Sequence, residues 1–183
     1  MKKLKITSVI LLLVIGCATY SSKMELSRDL YYEGRYEEAL ASLSKLVDDS
    51  SNNDRYLFFL ERGKINLALG EYDAAITDLR AAEERFSEIE ATVSVGDLFK
   101  NILINPGHGE YQPESHEKIL INSYLLLAYW LGGDREGAFV ERKRIVGRLK
   151  QYLGNFSEED RETLDVPFAR YLAALLYEVE GLE

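Results

Sequence analysis

The spacing of apolar and polar residues divides this chain into unlike parts. Val9 to Ile15 is an unbroken apolar run, preceded by Lys2, Lys3 and Lys5. Beyond Lys23 the apolar positions recur three and four apart with charged residues between them, the spacing of an amphipathic helix. It predicts helices over about Met24 to Tyr32, Tyr56 to Leu69, Tyr72 to Phe86, Glu117 to Leu131, Arg135 to Leu149 and Pro167 to Val179, with another through Leu43 and Leu46. Pro167 is well placed to open its helix, because the first turn needs no amide donor there. After Glu90 the stretch Ala91 to Ile104 is apolar, with helical spacing at Val95, Leu98, Phe99 and Ile102. Asn105-Pro106-Gly107-His108-Gly109 then breaks it. The expected fold is all-α, with an irregular insert at about 91–116.

A short motif joins the helices. Gly34-Arg35-Tyr36-Glu37-Glu38-Ala39 returns as Gly70-Glu71-Tyr72-Asp73-Ala74-Ala75, and more distantly as Gly133-Asp134-Arg135-Glu136-Gly137-Ala138. Glycine suits a turn whose backbone a Cβ would disfavour, and an alanine five residues later lets two helix axes approach closely. The first two glycines are 36 residues apart, near the ~34 of a tetratricopeptide period. The chain thus resembles the tetratricopeptide repeat. That resemblance implies an α-solenoid of about three helix pairs plus a terminal helix, packed through Gly34, Tyr36, Ala39, Gly63, Gly70, Tyr72, Ala75, Ala82, Gly133 and Ala138. Phe59, Gly63 and Asn66 fall at three signature positions of the family, Asn66 standing where it has tyrosine. Arg135 stands where an aromatic is expected, and Arg142 where the residue is usually apolar. Tyr31, Tyr32, Tyr36, Tyr56 and Tyr72 fall at packing positions and are expected in the core. Gly181-Leu182-Glu183 occupies the place of a further turn, so Pro167 to Val179 is either a solitary capping helix or the start of a pair cut short.

The first segment has the architecture of a secretory signal: a basic start, an apolar core and a small-residue boundary. Its apolar run is short of the ~20 residues a spanning helix needs. The boundary Val14-Ile15-Gly16-Cys17 resembles the lipobox of bacterial lipoproteins. That resemblance implies cleavage before Cys17, diacylation of its thiol, and attachment to the cell membrane or outer membrane on the exported side. Cys17 is the only cysteine, so no internal disulfide competes for it. Residues 1–16 then form a signal peptide, 17–23 a lipidated cysteine with a short tether, and 24–183 the repeat domain. Cleavage removes three lysines and no acid, taking the formal charge from −9 to −12. Such a chain repels phosphate backbones, and Arg142, Lys143, Arg144, Arg148 and Lys150 are spread around a helix, so nucleic acid is not an expected partner.

Catalytic chemistry finds little footing. His108 and His116 are the only histidines, eight positions apart, and match no metal-ligand spacing. Neither a nucleophile elbow nor a glycine-rich phosphate loop with its preceding strand is present. Paired carboxylates such as Glu83-Glu84 read as solvated helix faces. No enzyme activity, cofactor or metal is expected. Tyr111 to Glu117, Asn122-Ser123-Tyr124-Leu125, Val140 to Arg144 and Pro167 to Leu172 look similar to a family of uncharacterised bacterial lipoproteins with tetratricopeptide-like repeats. That likeness implies architecture and no activity. Glu117 is expected to pair with Arg142 or Arg144 across antiparallel helices. In the functional alternative, Arg142 and Arg144 accept a carboxylate from a peptide partner. Trp130 is a candidate anchor for a partner, with burial the commoner fate of a tryptophan. The expected function is a membrane-anchored protein-binding or scaffolding module of the cell envelope. The alternative is an accessory subunit, or a binder of a glycan or small molecule, using the 105–117 insert.

Overall fold

The computed structural model describes residues 20–48, 55–92, 115–154, 165–179 and 181. These residues are all-helical, with no strand among them: α1 (Tyr20–Tyr32), α2 (Tyr36–Val47), α3 (Arg55–Leu69), α4 (Tyr72–Thr92), α5 (Ser115–Leu131), α6 (Arg135–Gly154) and α7 (Pro167–Val179). The helices outrun their expected bounds where one more turn still buries an apolar side chain. Ile89 extends α4 beyond Phe86, and Leu153 extends α6 beyond Leu149. At the other end, α1 starts at Tyr20, inside the expected tether, where neither glycine nor proline interrupts the sequence.

Three helix pairs close through the same turn. Gly34, Gly70 and Gly133 have φ of 76°, 80° and 87°, a region in which a Cβ is strained. In the first turn the Gly34 N–H donates to the Tyr31 carbonyl at 3.0 Å and the Arg35 N–H to the Leu30 carbonyl at 2.9 Å. Gly70 and Glu71 repeat this on Leu67 and Asn66, and Gly133 and Asp134 on Trp130 and Tyr129. Both bonds of a Schellman motif are present each time, so the carbonyls left over at each helix end are satisfied. The next helix starts at once. Ala39, Ala75 and Ala138 donate to the carbonyls of Arg35, Glu71 and Asp134, and all three alanines are fully buried. Gly181, after α7, has φ of 66° and donates to the Glu178 carbonyl at 3.0 Å.

The core is divided along the chain. Among the described residues one cluster joins α1, α2 and α3 around Met24, Leu43 and Phe58. A second joins α3, α4 and α5 around Tyr56, Leu79 and Leu125, with Tyr56 edge-on to Phe86. The third joins α5, α6 and α7 around Ile119, Ile145 and Ala169. Each cluster is thus a helix pair capped by the first helix of the next pair, and α3 and α5 each serve two clusters. Additionally, α3 touches α5, and α5 touches α7. Side-chain size sets these approaches. A Cβ on Gly63 would sit 2.8 Å from Leu79 Cγ, and one on Gly137 would strike the Tyr129 ring. The tyrosines divide: Tyr56 is buried and Tyr31, Tyr36 and Tyr72 are half-buried. Tyr32, by contrast, is 79% exposed. It occupies the last residue of α1, with the Tyr31 ring in an edge-type arrangement against it at 5.9 Å.

Three glycine substitutions separate these roles in chemical denaturation of the whole chain. Gly147 lies within α6 with open space around a new Cβ, so Gly147→Ala is expected to stabilise by about 0.5–1 kcal/mol. Gly70→Ala forces a left-handed residue to carry a Cβ and is expected to cost about 1 kcal/mol. Gly63→Ala drives a methyl into Leu79, with a cost of about 1–3 kcal/mol. A stabilising Gly63→Ala would mean that α3 and α4 are not held at this distance.

Candidate functional site

Two pairs carry a carboxylate at the same place, eight residues after the turn glycine. In α4 this is Asp78, which is buried. Arg62 of α3 grips it with both arms, Nε donating to Oδ2 at 2.7 Å and Nη2 to Oδ1 at 2.6 Å. Asn66, also buried, donates to Oδ2 at 3.2 Å. Asn66 thereby supplies a third donor to a buried carboxylate that Arg62 already grips.

In α6 the corresponding residue is Glu141, which is completely buried. Its partners come from three helices. Arg80 of α4 donates through Nη2 to Oε1 at 2.6 Å, and Asn122 of α5 donates through Nδ2 to Oε2 at 2.8 Å. Arg144 of α6 lies 3.4 Å from Oε1. Glu83 of α4 completes the cluster. It accepts from Asn122 at 2.8 Å, Arg80 at 2.7 Å and Arg144 at 2.9 Å, with Arg148 at 3.6 Å. Arg80 lies over the Tyr129 ring and donates to its hydroxyl at 3.2 Å. Glu83 was expected on a solvated face. It is instead nearly covered, because α5 and α6 both fold over that side of α4.

The two acids are driven apart electrostatically. Desolvation pushes the Glu141 carboxyl above the usual carboxylate range, and neighbouring Glu83 adds to the push while Arg80 and Arg144 oppose it. Burial acts on Glu83 in the same direction, but the Asn122 hydrogen bond, Arg144 and Arg80 outweigh it and hold that carboxyl below the range. Asn122 Oδ1 is buried and accepts no hydrogen bond. With its two amide hydrogens on two carboxylates, Asn122 bridges α4 and α6 from the helix between them. The cluster is well suited to fixing three helices in register: its acids are covered, while the Arg144 side chain remains 43% exposed.

The second feature is an open groove of about 940 Å³ between α6 and α7. Val146, Leu149, Leu153 and Ala173 give it an apolar floor, and Arg142, Lys150, Arg170 and Glu178 stand around it. Arg142 lies between two rings, 4.7 Å from the Phe139 centroid and 5.0 Å from that of Tyr177. The equivalent positions in the earlier pairs hold Leu43 and Leu79, both fully buried. Arg142 is tolerated there because two aromatic faces receive its planar cation. Its Nε is buried and has no hydrogen-bond partner.

The expected site residues therefore separate. Arg142 faces the groove, whereas Arg144 is engaged with Glu83 and Glu141. Asn122 of α5 donates to Glu141 of α6. Glu117 stands five residues earlier, about 7.5 Å along the helix axis, in the half-buried first turn of α5. Trp130 is half-buried against the third core cluster, with Arg135 over its ring at 5.7 Å. Cys17, His108 and most of the insert lie outside the described residues, and His116 is half-buried at the start of α5. Among the described residues, no group of three or more His, Cys, Asp or Glu side chains is placed to hold a metal ion, and no helix is long and apolar enough to cross a membrane. The chain matches no family model, no curated protein and no solved structure. Glu83, Asn122 and Glu141 went unrecognised as a set because they are 39 and 19 residues apart in sequence. Only the polar residues within otherwise apolar faces hinted at them.

Truncating Glu141 to alanine removes the acceptor of Arg80 Nη2 and one of the two carboxylates that Asn122 donates to, and is expected to cost about 3 kcal/mol at neutral pH. The pH dependence follows from the two shifts. As pH falls from neutral toward the ordinary carboxylate range, folded Glu141 takes up a proton before the unfolded chain does, so stability rises. Glu83 stays ionised through that interval, and its contribution is lost only as pH falls through its lowered folded value. Urea unfolding across pH should show the rise in wild type and a smaller one in Glu141→Gln. An unchanged profile in Glu141→Gln would remove Glu141 as its source.

Proposed function

We propose that this chain is a membrane-anchored lipoprotein whose tetratricopeptide-like helix pairs form a protein-binding or scaffolding module on the exported side of a bacterial envelope. The lipid anchor rests on Cys17 and the signal pattern before it. The repeat reading draws support from the three Schellman turns at Gly34, Gly70 and Gly133 and from the buried alanine five residues after each. Core clusters that overlap from one pair to the next are the way stacked repeats bury their apolar faces.

The observation that carries the binding role is an apolar surface of α7 that no other described helix covers. One face of α7 buries Ala169, Leu172, Ala173 and Leu176, as expected of a packed helix. The rest remains largely apolar as well: Phe168, Tyr171, Leu175 and Val179 form a stripe at helical spacing, with Tyr171 64% and Val179 56% exposed. Beside it lies the α6–α7 groove. Adjoining apolar surfaces of this kind mark a place where another polypeptide packs.

Two measurements test this reading. Cys17→Ala is expected to lose an incorporated acyl label and to move the protein out of the membrane fraction. If it stays membrane-bound and labelled, the anchor is wrong. A photo-crosslinking residue at Val146 or Leu175 of the whole chain in cells is expected to give discrete protein adducts. The same residue at Tyr32, on the opposite end of the stack, is expected to give few. Equal adducts at all three positions would remove the case for a binding face at α6–α7.

A further inference from the structure

A comparable set of groups lies one helix pair later, with the arginine set back by one position: Arg80 is ten residues after Gly70 and Arg142 nine after Gly133. Tyr129 stands four residues before Gly133, and Tyr177 four before Gly181, both glycines having positive φ. An arginine from the preceding even-numbered helix lies over each ring: Arg80 over Tyr129 at 5.5 Å, and Arg142 over Tyr177 at 5.0 Å. Asn122 precedes Gly133 by eleven residues, and Arg170 precedes Gly181 by the same interval. Val146 has the place on α6 that Glu83 has on α4, and it lines the groove where Glu83 meets Arg144 and Arg148 of α6.

At the earlier place, the arginine and the α5 side chain converge on a carboxylate carried by the next helix, at 2.6 and 2.8 Å. At the later place the same frame opens onto the groove. Arg142 Nε is buried there without a hydrogen-bond partner. Asp165 accepts from Arg170 Nε at 2.8 Å and so fixes a second guanidinium at the rim. Among the described residues, Arg142, Lys150 and Arg170 line the groove with Glu178, Asp165 being engaged by Arg170 at the rim, in a chain whose formal charge is −9.

We propose that the α6–α7 groove takes, from a partner protein, an amphipathic helix bearing an alanine and, three residues on, an Asp or Glu whose carboxylate docks on Arg142 and Arg170. This deepens the protein-binding reading above and rests on it. The spacing is the one this fold already uses twice, as Ala75 with Asp78 and Ala138 with Glu141. The alanine allows close approach of the helix axes. The acid reaches the guanidinium pair, and a desolvated carboxylate held by planar donors discriminates strongly against its amide. Apolar residues on the same face cover Val146, Leu149 and Ala173.

The test is selection from a displayed library of 21-residue helices built on the Tyr72–Thr92 sequence, randomised at the places of Ala75 and Asp78, against the full chain in detergent micelles. Selected helices are expected to carry a small residue at the first place and Asp or Glu at the second. Affinity of the leading synthetic peptide should fall at least about tenfold when its acid becomes the amide, and likewise on Arg142→Gln. Because Arg142 also packs on Phe139 and Tyr177, a second variant guards against a loosened α7. Val146→Glu, at an exposed position, should abolish binding with unchanged helix content and Tm. Helices selected without an acid, and bound equally by Arg142→Gln, would overturn this inference and leave the protein-binding reading standing. Failure to select any helix would overturn both.

Discussion

A helix that is apolar on more than one side must be covered by more than one neighbour, and this constraint shapes the whole molecule. Both α3 and α5 are covered by the even-numbered helix on each flank and touch each other besides. A single hairpin here has no complete core, because each cluster draws on a third helix. Stability is therefore distributed along the stack, with nearest neighbours supplying most of it. The same requirement continues at α7, whose second apolar surface is met by no described helix. In this light the exposed apolar stripe of α7 is what the packing rule leaves uncovered among the described helices.

Apolar burial alone would let such pairs slide or rotate, since leucines and alanines fit one another in several registers. The polar contacts remove that freedom. Arg62 grips Asp78 in a two-pronged geometry that tolerates little displacement. Around Glu141 the specification spans three helices, because Asn122 bonds carboxylates from α4 and α6 at once. A buried ion cluster adds little net stability compared with an apolar equivalent and mainly excludes other arrangements. The raised Glu141 carboxyl shows that desolvation is not fully offset there.

Much of this was legible in one dimension. The three turns and the alanines after them followed from Gly34, Gly70 and Gly133, because a Schellman turn places its demand on a single residue that must be glycine. Helix identity followed from apolar spacing, while helix ends did not: α4 and α6 ran past their expected ends to bury Ile89 and Leu153. Arg142 was recognisable as a misfit at an apolar place, and its accommodation between Phe139 and Tyr177 was not, since Tyr177 belongs to another helix. Glu83 was misread for the same kind of reason. A helical wheel gives the faces of α4, but not the arrival of α5 and α6 over one of them.

By itself, then, the sequence determined the local matters: which of the described segments are helical and where the chain turns back. These depend on residues close together, through backbone hydrogen bonding and side-chain periodicity. The tertiary structure alone decided which charges are paired and which face the groove. Arg142 and Arg144 are two residues apart, yet one lies between aromatic rings at the groove and the other is engaged with Glu83 and Glu141. The difference is the angle between successive residues on a helix, which directs them toward different neighbours whose positions are set by packing over the whole stack.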